Sequence, residues 1–353
     1  MSNQFCRFLS NGYSFTSLNN YLIVKPCCWH KDEIIFDENF EKNKHNQSQI
    51  NKWTLGCSVC QAQETAGQKS FRQSSFEILP EVENNIPLAI DINLDRSCNA
   101  ACVICGPESS TFWSKQLGSK KTIQIQNKDS LSIYIDYITN NFDLSKVKRI
   151  KFFGGEPLFT DTHLKVLQLL PNPEQCEIWY TTNGSILPGQ NVLDIWKQFK
   201  LVFFEASLDG IDSKFNYIRW PLQWRKVSNN LLELKDQGPV NLLFRINHTL
   251  NPFNIFYYNE LDDWIRNNLS SNRLGDLTEI NIHPCWGNWD LAKTPISLRD
   301  EINKKYSNSI VSRILSNTSV LDYKSIIDFT KKYDDKRKVS WAETFPEIVK
   351  YFP

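Results

Sequence analysis

Three cysteines are concentrated in one short segment of this 353-residue chain. The stretch LDRSCNAACVICG contains Cys98, Cys102 and Cys105, spaced Cys-x-x-x-Cys-x-x-Cys. Three thiolates can bind three irons of a 4Fe–4S cube, which leaves the fourth iron open to a small molecule. A tetrahedral zinc site requires a fourth ligand, and none lies nearby in the sequence. We therefore predict a cluster with one open iron, and these three cysteines as its catalytic ligands.

The segment CNAACVIC resembles the cluster motif of the radical S-adenosylmethionine (SAM) enzymes. That family usually has an aromatic residue before the third cysteine, where this chain has Ile104. Because the three ligands are intact, this departure weakens the resemblance little. A structural metal-binding loop is the alternative explanation for the cysteine triplet alone.

Two further segments follow in the order that the family has them. KFFGGEPLF contains Gly154, Gly155 and Glu156, and is similar to the Gly-Gly-Glu-Pro segment that receives the SAM amino group. Glycine at such a position lets the backbone approach a ligand closely. YTTNGS contains Asn183 within a Thr-Asn-Gly segment that is frequent in the family, although Asn-Gly is also a common turn.

The stretch FEASLDGIDSKFNYIRW supplies a fourth match. Ser207 and Asp209 resemble the Ser-x-Asp-Gly motif, and Arg219 follows Ser207 by twelve residues. In the peptide-modifying branch of the family, a serine and an arginine so placed bind the SAM carboxylate, which a guanidinium can hold with two hydrogen bonds. A surface salt bridge is the alternative for Arg219. The adenine contact has no clear motif; its candidates, for which a buried structural role is the alternative, are Arg245, Asn247 and His248.

The resemblance implies a mechanism and its cofactors. A one-electron donor such as flavodoxin or ferredoxin reduces the 4Fe–4S cluster, to which SAM is bound through its amino and carboxylate groups. Cleavage of SAM gives a 5′-deoxyadenosyl radical, which abstracts hydrogen from the substrate. The cofactor supplies this chemistry while the protein positions it, so we expect a cap that excludes water and oxygen.

A second cysteine set lies near the N-terminus. Cys57 and Cys60 have a metal-ligand spacing, and Cys6 with one of the pair Cys27 and Cys28 completes four thiolates. The region resembles the twitch (half-SPASM) domain, which binds an auxiliary iron–sulfur cluster but usually follows the barrel. The resemblance favours Cys27 as the ligand, since the first cysteine of the Pro-Cys-Cys pair usually binds in the family. Zinc stays the alternative, because four thiolates can hold either.

The pattern of the chain predicts an α/β fold with three regions. An N-terminal cysteine-rich module covers residues 1–82, a partial (β/α)6 barrel of the radical SAM type covers 83–290, and a helical extension covers 291–353. In the barrel region, six apolar β-branched runs alternate with segments that suit helices, which implies parallel strands. The motifs then lie at the carboxyl ends of strands, where such folds have their sites. A flat doubly wound sheet is the alternative. The predicted helices are Ser130–Asn141, Thr162–Leu170, Val192–Phe199, Trp224–Gln237 and Ile255–Asn268.

Some residues with reactive or aromatic side chains lie outside these motifs. Cys176 is expected in the core. Cys285 follows the sixth predicted strand and is either a buried core residue or a thiol at the active-site mouth, and His283 beside it is unresolved. We expect Trp286 and Trp289 to pack, with a role in capping the site as the alternative.

Composition limits the partners. The net charge of +1 gives no electrostatic case for nucleic acid or an anionic membrane. Apolar runs are too short to span a bilayer, and no secretory signal is visible, so we expect a cytoplasmic protein with reduced thiols. What SPASM and twitch relatives do implies a peptide or protein substrate. The alternatives are a nucleotide or small metabolite, or a non-enzymatic iron–sulfur electron carrier or metal-binding protein.

Overall fold

The computed structural model describes residues 6–18, 21–30, 34–35, 53–65, 67–81, 86–93, 96–117, 128–269 and 278–353. Within these residues the chain is a mixed α/β protein built on one nine-stranded sheet. The strands are β1 Gly12–Leu18, β2 Tyr21–Lys25, β3 Ile34–Ile35, β4 Ala89–Asn93, β5 Arg149–Phe152, β6 Glu177–Thr182, β7 Leu201–Ser207, β8 Leu242–Leu250 and β9 Glu279–Pro284.

The helices of this part of the chain lie mainly between strands β4 and β9 and after β9. They are α1 Arg7–Asn11, α2 Ser58–Thr65, α3 Phe71–Ile78, α4 Thr111–Leu117, α5 Lys128–Asn141, α6 Thr162–Leu167, α7 Gln190–Trp196, α8 Asp212–Ile218, α9 Trp224–Gln237, α10 Tyr258–Asn268, α11 Ile296–Lys305, α12 Ile310–Ser316, α13 Lys324–Arg337 and α14 Trp341–Thr344. Among the described residues, none of these helices has the length and apolar character needed to cross a bilayer.

Helix α9 illustrates why these segments are helical. Its buried residues Trp224, Val227, Leu231 and Leu234 recur every three or four positions, which places them on one face. The helix ends at Gly238, directly before a proline that cannot continue it. The structure confirms this predicted helix over its full length, and it also contains the other four at similar positions.

The six predicted strands are β4 to β9, all parallel and paired in sequence order. A doubly wound sheet reverses its strand order at a switch point, and this run of six has no such reversal. Since the strands are parallel, their carboxyl ends lie at one edge. The segments that follow β4, β5, β6 and β7 therefore meet there.

The N-terminal region adds three strands that the sequence analysis does not predict. Strand β1 pairs in parallel with β4 and antiparallel with β2, which in turn pairs with β3. In the run GYSFTSL of β1, Tyr13 and Phe15 belong to the main core, and Ser14 between them is also buried. Apolar and polar residues alternate only from Tyr13 to Thr16, because Ser17 follows Thr16, and so short a period-2 pattern is a weak strand signal. The charged, amide-rich stretch at residues 37–53, whose composition indicates a solvated loop or an irregular helix, lies outside the described residues up to residue 52.

The two faces of the sheet differ in chemistry. Even-numbered residues such as Ile90, Ile150 and Phe204 pack with the helices in the main core. Because successive side chains point to opposite faces, odd-numbered residues share the other face. There Asp91 pairs with Arg149 at 2.7 Å, and Lys151 Nζ lies 2.5 Å from the Glu205 carboxylate. This face therefore carries buried charges in pairs.

The N-terminal region covers the charged face. The Arg149 guanidinium lies 5.4 Å from the ring centroid of Phe8 and 5.2 Å from that of Phe71. At the other side of the sheet, in β9, Gln63 Nε2 lies 3.3 Å from His283 Nδ1, and the Trp29 ring packs against the same histidine. The N-terminal region thus pairs with β4 through β1 and also contacts β9.

The C-terminal region is helical, as predicted. Helices α11 to α14 pack around a second core that includes Phe253, Trp289, Trp341 and Phe345. Helix α13 also reaches the cysteine segment, because Arg337 Nη2 donates to the carbonyl of Ala101 at 2.8 Å. This extension is therefore in direct contact with the predicted site. The boundaries drawn at residues 82 and 290 stay predictions.

Replacing Arg149 by methionine should lower the free energy of unfolding by about 3–5 kcal/mol, because Asp91 then stays buried without its partner. Arg149 is 0% exposed. Urea unfolding measures the change. The matched control is Lys200→Met, which removes a pair with Glu177 whose lysine is 55% exposed, and should cost less than about 1 kcal/mol. Equal losses in the two variants would contradict this account of the sheet.

Candidate functional site

The cysteine loop that follows β4 is fastened to its neighbours by backbone hydrogen bonds. The Ala101 amide donates to the Trp220 carbonyl and the Val103 amide to the Ile218 carbonyl, both at 2.8 Å. The Glu156 amide donates to the Ser97 carbonyl at 2.8 Å. The loop is thus bound to the segment after β5 and to the end of α8, two elements distant in sequence.

The three thiols of this loop lie near one another. Burial, and then the neighbouring thiol of Cys102, raise the pKa of Cys98 to about 12. The Cys105 thiol interacts electrostatically with those of both Cys102 and Cys98. Binding of iron must therefore displace protons from these groups. A set of three thiols matches the ligation of three irons of a cube.

No three Cys, His, Asp or Glu side chains among the described residues lie close enough to hold a single metal ion. Thiolates that bind different irons of a cluster are farther apart than thiolates that share one ion. Neither cysteine set therefore has the spacing of a preformed one-ion site.

The segment after β5 touches the cysteine loop at Gly155. A Cβ atom there would lie 2.2 Å from the Ser97 carbonyl oxygen and 2.6 Å from the Arg96 carbonyl carbon. Both are backbone atoms, so the contact leaves no room for a side chain. Gly154 has a φ of 124°, which other residues rarely adopt. Gly155 is therefore required by the close approach of the two chain segments, and Gly154 by its backbone conformation.

Glu156 joins the ends of β5 and β6. It is 2% exposed, and its carboxylate accepts hydrogen bonds from Thr182 Oγ1 at 2.6 Å and the Asn183 amide at 2.7 Å. The Leu158 amide donates to it at 3.3 Å. Burial raises the pKa of Glu156 to about 6. Internal donors reach both oxygens of Glu156, so its carboxylate joins the ends of β5 and β6.

Asn183 connects the segment after β6 to the cysteine loop. Its Nδ2 donates to Asn99 Oδ1 at 3.0 Å, and its Oδ1 accepts from the Ser185 amide at 2.9 Å. Asn99 lies between Cys98 and Cys102, and its Nδ2 donates to Ser185 Oγ at 2.8 Å. Two amide side chains and one hydroxyl thus link this turn to the residues between two of the cysteines.

Arg219 lies between Asp209 and a cysteine of the triplet. Its Nη2 is 2.5 Å from Asp209 Oδ2, and its Nη1 is 3.8 Å from Cys102 Sγ. Asp209 is fully buried and also accepts from the Thr249 amide at 2.7 Å. The alternative for Arg219, a surface salt bridge, is correct about the ion pair but wrong about its location, because the pair is buried. The structure therefore brings Asp209 and Arg219 together with Cys102.

The predicted serine partner of Arg219 is the last residue of β7. Ser207 lies opposite Asn247 of β8, and the structure records no contact between Ser207 and Arg219. Of the candidates for adenine, His248 is buried with Nδ1 2.8 Å from the Leu208 carbonyl oxygen. Arg245 pairs with Glu279 and lies over the Trp179 ring. These contacts agree with the structural alternative for Arg245 and His248.

The second cysteine set also meets in space. Cys6, Cys27, Cys57 and Cys60 line one small cavity, and Trp29, His30 and Trp53 supply part of its wall. Burial raises the pKa of Cys6 to about 11 and that of Cys27 well above its ordinary value, and the neighbouring thiols add to both effects. Four thiols around one cavity match the donor set of an iron–sulfur cluster or of zinc.

Cys28 is not among the residues that line that cavity. Its amide donates to Asp91 Oδ2 at 3.0 Å, on the charged face of the sheet. Burial and then Asp91 raise the pKa of the Cys28 thiol well above its ordinary value. The adjacent cysteines therefore face different surroundings, and Cys27 is the one that lines the cavity.

The residues outside the motifs divide as follows. Cys176 and Cys285 are buried in the two large cores. Trp289 packs as expected, but the expectation that Trp286 packs is wrong, because it is 54% exposed in the turn after β9. His283 contacts Trp29 and Gln63, and burial lowers its pKa to about 4.

The sequence motifs do not identify several residues that hold the cysteine loop. Thr182 and Asn99 act through Glu156 and Asn183. Trp113 Nε1 donates to the Cys102 carbonyl at 2.7 Å, and Arg337 donates to Ala101 from 236 residues away. Thr182 belongs to the recognised Thr-Asn-Gly segment, so that segment was a usable signal. Nothing in the sequence indicates the partners of Trp113 and Arg337.

Comparisons with known proteins give only distant likenesses. No family model and no curated protein matches the chain. Native anSMEcpe with bound AdoMet aligns with 66% of this chain at 15% identity and a TM-score of 0.45, and this chain covers 64% of that one. Native anSMEcpe with bound AdoMet and the Kp18Cys peptide aligns with 66% of this chain at 16% identity and a TM-score of 0.42, and this chain covers 63% of that one. Streptococcus suis SuiB bound to S-adenosylmethionine aligns with 96% of this chain at 15% identity and a TM-score of 0.39, and this chain covers 73% of that one. The assignments below rest on the residues of this chain.

Replacing Gly155 by alanine should separate the segment after β5 from the cysteine loop, because the new Cβ meets backbone atoms. We expect a loss of about 1–3 kcal/mol in stability and of most of the iron bound by the triplet. Iron and sulfide analysis after anaerobic reconstitution measures the second effect. The control is Gly189→Ala, where the Cβ meets only Asn191 Oδ1 at 3.2 Å. Equal iron in the two variants would show that the close approach is dispensable.

Proposed function

We propose that this chain is a radical SAM enzyme, with a 4Fe–4S cluster at Cys98, Cys102 and Cys105. The observation that carries this proposal is the fastening of four motif segments at one edge of a parallel sheet. The cysteine loop bonds to the segments after β5 and β6, and Arg219 joins it to Asp209. A chance set of motifs has no reason to converge in this way.

We infer that β4 to β9 form a partial barrel, with the N-terminal region across its opening. The sequential parallel order supports a barrel, and the contacts of the N-terminal region with both β4 and β9 support closure by that region. In such a fold the site lies at the carboxyl ends of the strands. Helix α13 and the turn containing Trp286 are then candidates for the cap that excludes water and oxygen.

The proposed cofactor site uses the residues of this chain in distinct roles. The three thiolates hold the cluster, and the bound pair of cluster and SAM supplies a 5′-deoxyadenosyl radical for hydrogen abstraction. Gly155 keeps the backbone beside the cysteine loop free of a side chain, and Gly154 supplies the positive φ of this turn. Glu156 and Asn183 hold the strand ends in place. Ser207 is retained as a candidate for the SAM carboxylate.

Arg219 has a different role from the one that the resemblance implies. Asp209 already neutralises its charge, and its second nitrogen faces Cys102. We infer that it donates to the Cys102 thiolate when the cluster is bound. Hydrogen bonds to cluster sulfurs are among the factors that set the reduction potential. Arg219 therefore acts on the cluster more directly than on SAM.

An auxiliary iron–sulfur cluster at Cys6, Cys27, Cys57 and Cys60 is the second part of the proposal, with zinc as its alternative. The gathering of these four thiols around one cavity supports a metal centre. Full ligation by four thiolates suits electron transfer, since no iron is left open for a substrate. We keep residues 1–82 as the proposed twitch-like module and 291–353 as the extension.

The substrate, donor and location follow from the resemblance. We propose a peptide or protein substrate, a flavodoxin or ferredoxin as donor, and a cytoplasmic location. A nucleotide or small metabolite is the rival substrate. A plain electron carrier is the rival of another class, and it has no need for the Gly154–Gly155–Glu156 segment beside the cysteine loop.

Anaerobic reconstitution of wild type and of a Cys98/Cys102/Cys105→Ala variant tests the proposal. Each protein is analysed for iron and sulfide, and then given dithionite and SAM. We expect 5′-deoxyadenosine from wild type only, and one cluster's iron retained by the variant. Wild type that binds iron but never cleaves SAM would favour the carrier. Loss of all iron in the variant would leave zinc, or no metal, at the N-terminal site.

Arg219→Gln should lower the reduction potential of the triplet cluster by on the order of 60 mV, a tenfold change in a one-electron equilibrium. The reason is the loss of a charged donor to Cys102 beside a retained Asp209 carboxylate. Arg219→Lys keeps the charge and should restore part of the shift. Redox titration followed by electron paramagnetic resonance, without SAM, gives the potential. An unchanged potential with much weaker SAM binding would instead favour the carboxylate-binding role.

Cys27→Ala should remove the N-terminal metal, whereas Cys28→Ala should leave most of it bound, since only the first thiol lines the cavity. Iron, sulfide and zinc analysis of the two purified variants distinguishes them. Equal losses would mean that the pair acts as a unit, and retention in Cys27→Ala would make the assignment of that ligand wrong.

A further inference from the structure

A groove of about 380 Å³ follows the edge of β9 opposite β8, with which no strand among the described residues pairs. One wall is helix α10, through residues that include Ile265 and Arg266, and the other is the turn that contains Gln68 and Lys69. The floor is residues 278–283, the start and body of β9 itself. The volume lies within the usual range for ligand sites. None of these residues belongs to the cysteine site described above.

The backbone of β9 presents unused hydrogen-bonding groups to this groove. The Cys285 amide donates to the Leu250 carbonyl of β8, so the odd-numbered residues of β9 bond to β8. The backbone groups of the even-numbered residues Ile280, Ile282 and Pro284 then point away from β8. In the part of the chain that the structure describes, the amide and carbonyl of Ile280 and the amide of Ile282 have no backbone partner.

Gln68 and Pro284 reduce the number of backbone groups on this edge that a partner strand could use. Gln68 Nε2 donates to the Ile282 carbonyl at 3.2 Å, the bond that a neighbouring strand would otherwise make. Pro284 has no amide to offer at its outward position, which is where proline is tolerated on edge strands. The open edge is therefore short and centred on Ile280, and Gln68 already acts as a substitute for one residue of a partner strand.

The lining favours a neutral, extended polypeptide over an ionic ligand. Arg266 pairs with Asp262 at 2.7 Å, and Lys69 pairs with Glu77 at 2.5 Å, so these cations of the walls are already neutralised. An extended peptide satisfies alternating amides and carbonyls by strand addition, which small ions and nucleotides do not. Among the residues that line the groove, Ile265 and Ile310 offer apolar contact to its side chains.

We propose that an extended segment of a peptide substrate binds along β9 by pairing with Ile280 and Ile282. This inference rests on the proposed function for the identity of the peptide as substrate, and it deepens that proposal. Because β9 is parallel to β4, its carboxyl end lies on the same side of the sheet as the carboxyl end of β4, where the cysteine loop begins. A peptide paired with β9 therefore has one end directed toward the cluster side, next to the exposed Trp286.

The test uses a phage-displayed library of unstructured peptides, selected against the full-length, anaerobically reconstituted protein. The strongest binder is synthesised, and its affinity is measured for wild type, Ile280→Pro and Ile280→Val. Proline removes the outward amide, fixes φ and replaces the side chain, whereas valine keeps the amide. We expect Ile280→Val to bind within about twofold of wild type and Ile280→Pro at least tenfold more weakly, which is about 1.4 kcal/mol.

Hydrogen exchange in wild type gives a second readout that does not depend on how the variants fold. The bound peptide should slow exchange of the Ile280 and Ile282 amides. Equal binding to a folded Ile280→Pro, protection confined to other regions, or failure to select any peptide would each overturn the proposal. Formation of 5′-deoxyadenosine is measured separately without peptide, and Ile280→Pro should match wild type. Absence of that product in wild type would instead refute the radical SAM assignment.

Discussion

The hydrogen bonds that fasten the cysteine loop to neighbouring strand ends are the constraint on which the site depends. The loop follows the five-residue strand β4 and is held by hydrogen bonds from other elements. Glu156 bonds to Ser97, the segment at the end of α8 bonds to Ala101 and Val103, and Arg337 of helix α13 also bonds to Ala101. A buried group deprived of its partner costs about 1–3 kcal/mol. The position of the three thiols therefore depends on the folding of both the sheet and the C-terminal region.

The second requirement is that charges on the inner face of the sheet stay covered and paired. Asp91 and Arg149 form a buried pair, and the N-terminal region covers it with aromatic rings and with the Cys28 amide. The same contact places Cys27 at the cavity of the second cysteine set. The N-terminal cysteine cavity and the parallel strands β4 and β5 are thus joined through one buried network.

Sequence patterns predicted the six parallel strands and the helices between them, because apolar runs and helical periodicity are local properties. Local spacing also predicted the two cysteine sets as groups. The strands β1 to β3 were missed, since the period-2 pattern in β1 is short and its partner β4 lies more than 70 residues away. The Asp209–Arg219–Cys102 arrangement and the contact of Arg337 arise from tertiary packing, which no local pattern encodes. The edge of β9 opposite β8 likewise depends on strand order.

Electron–nuclear double resonance on the reduced, reconstituted protein tests the central claim most directly. SAM labelled with ¹³C in its carboxylate and ¹⁵N in its amino group is added to protein whose iron content shows that the triplet cluster is formed. The account predicts hyperfine coupling from both labels, since the open iron left by three cysteine ligands binds SAM directly. Absence of coupling from either label, with the cluster intact and SAM bound, would contradict it.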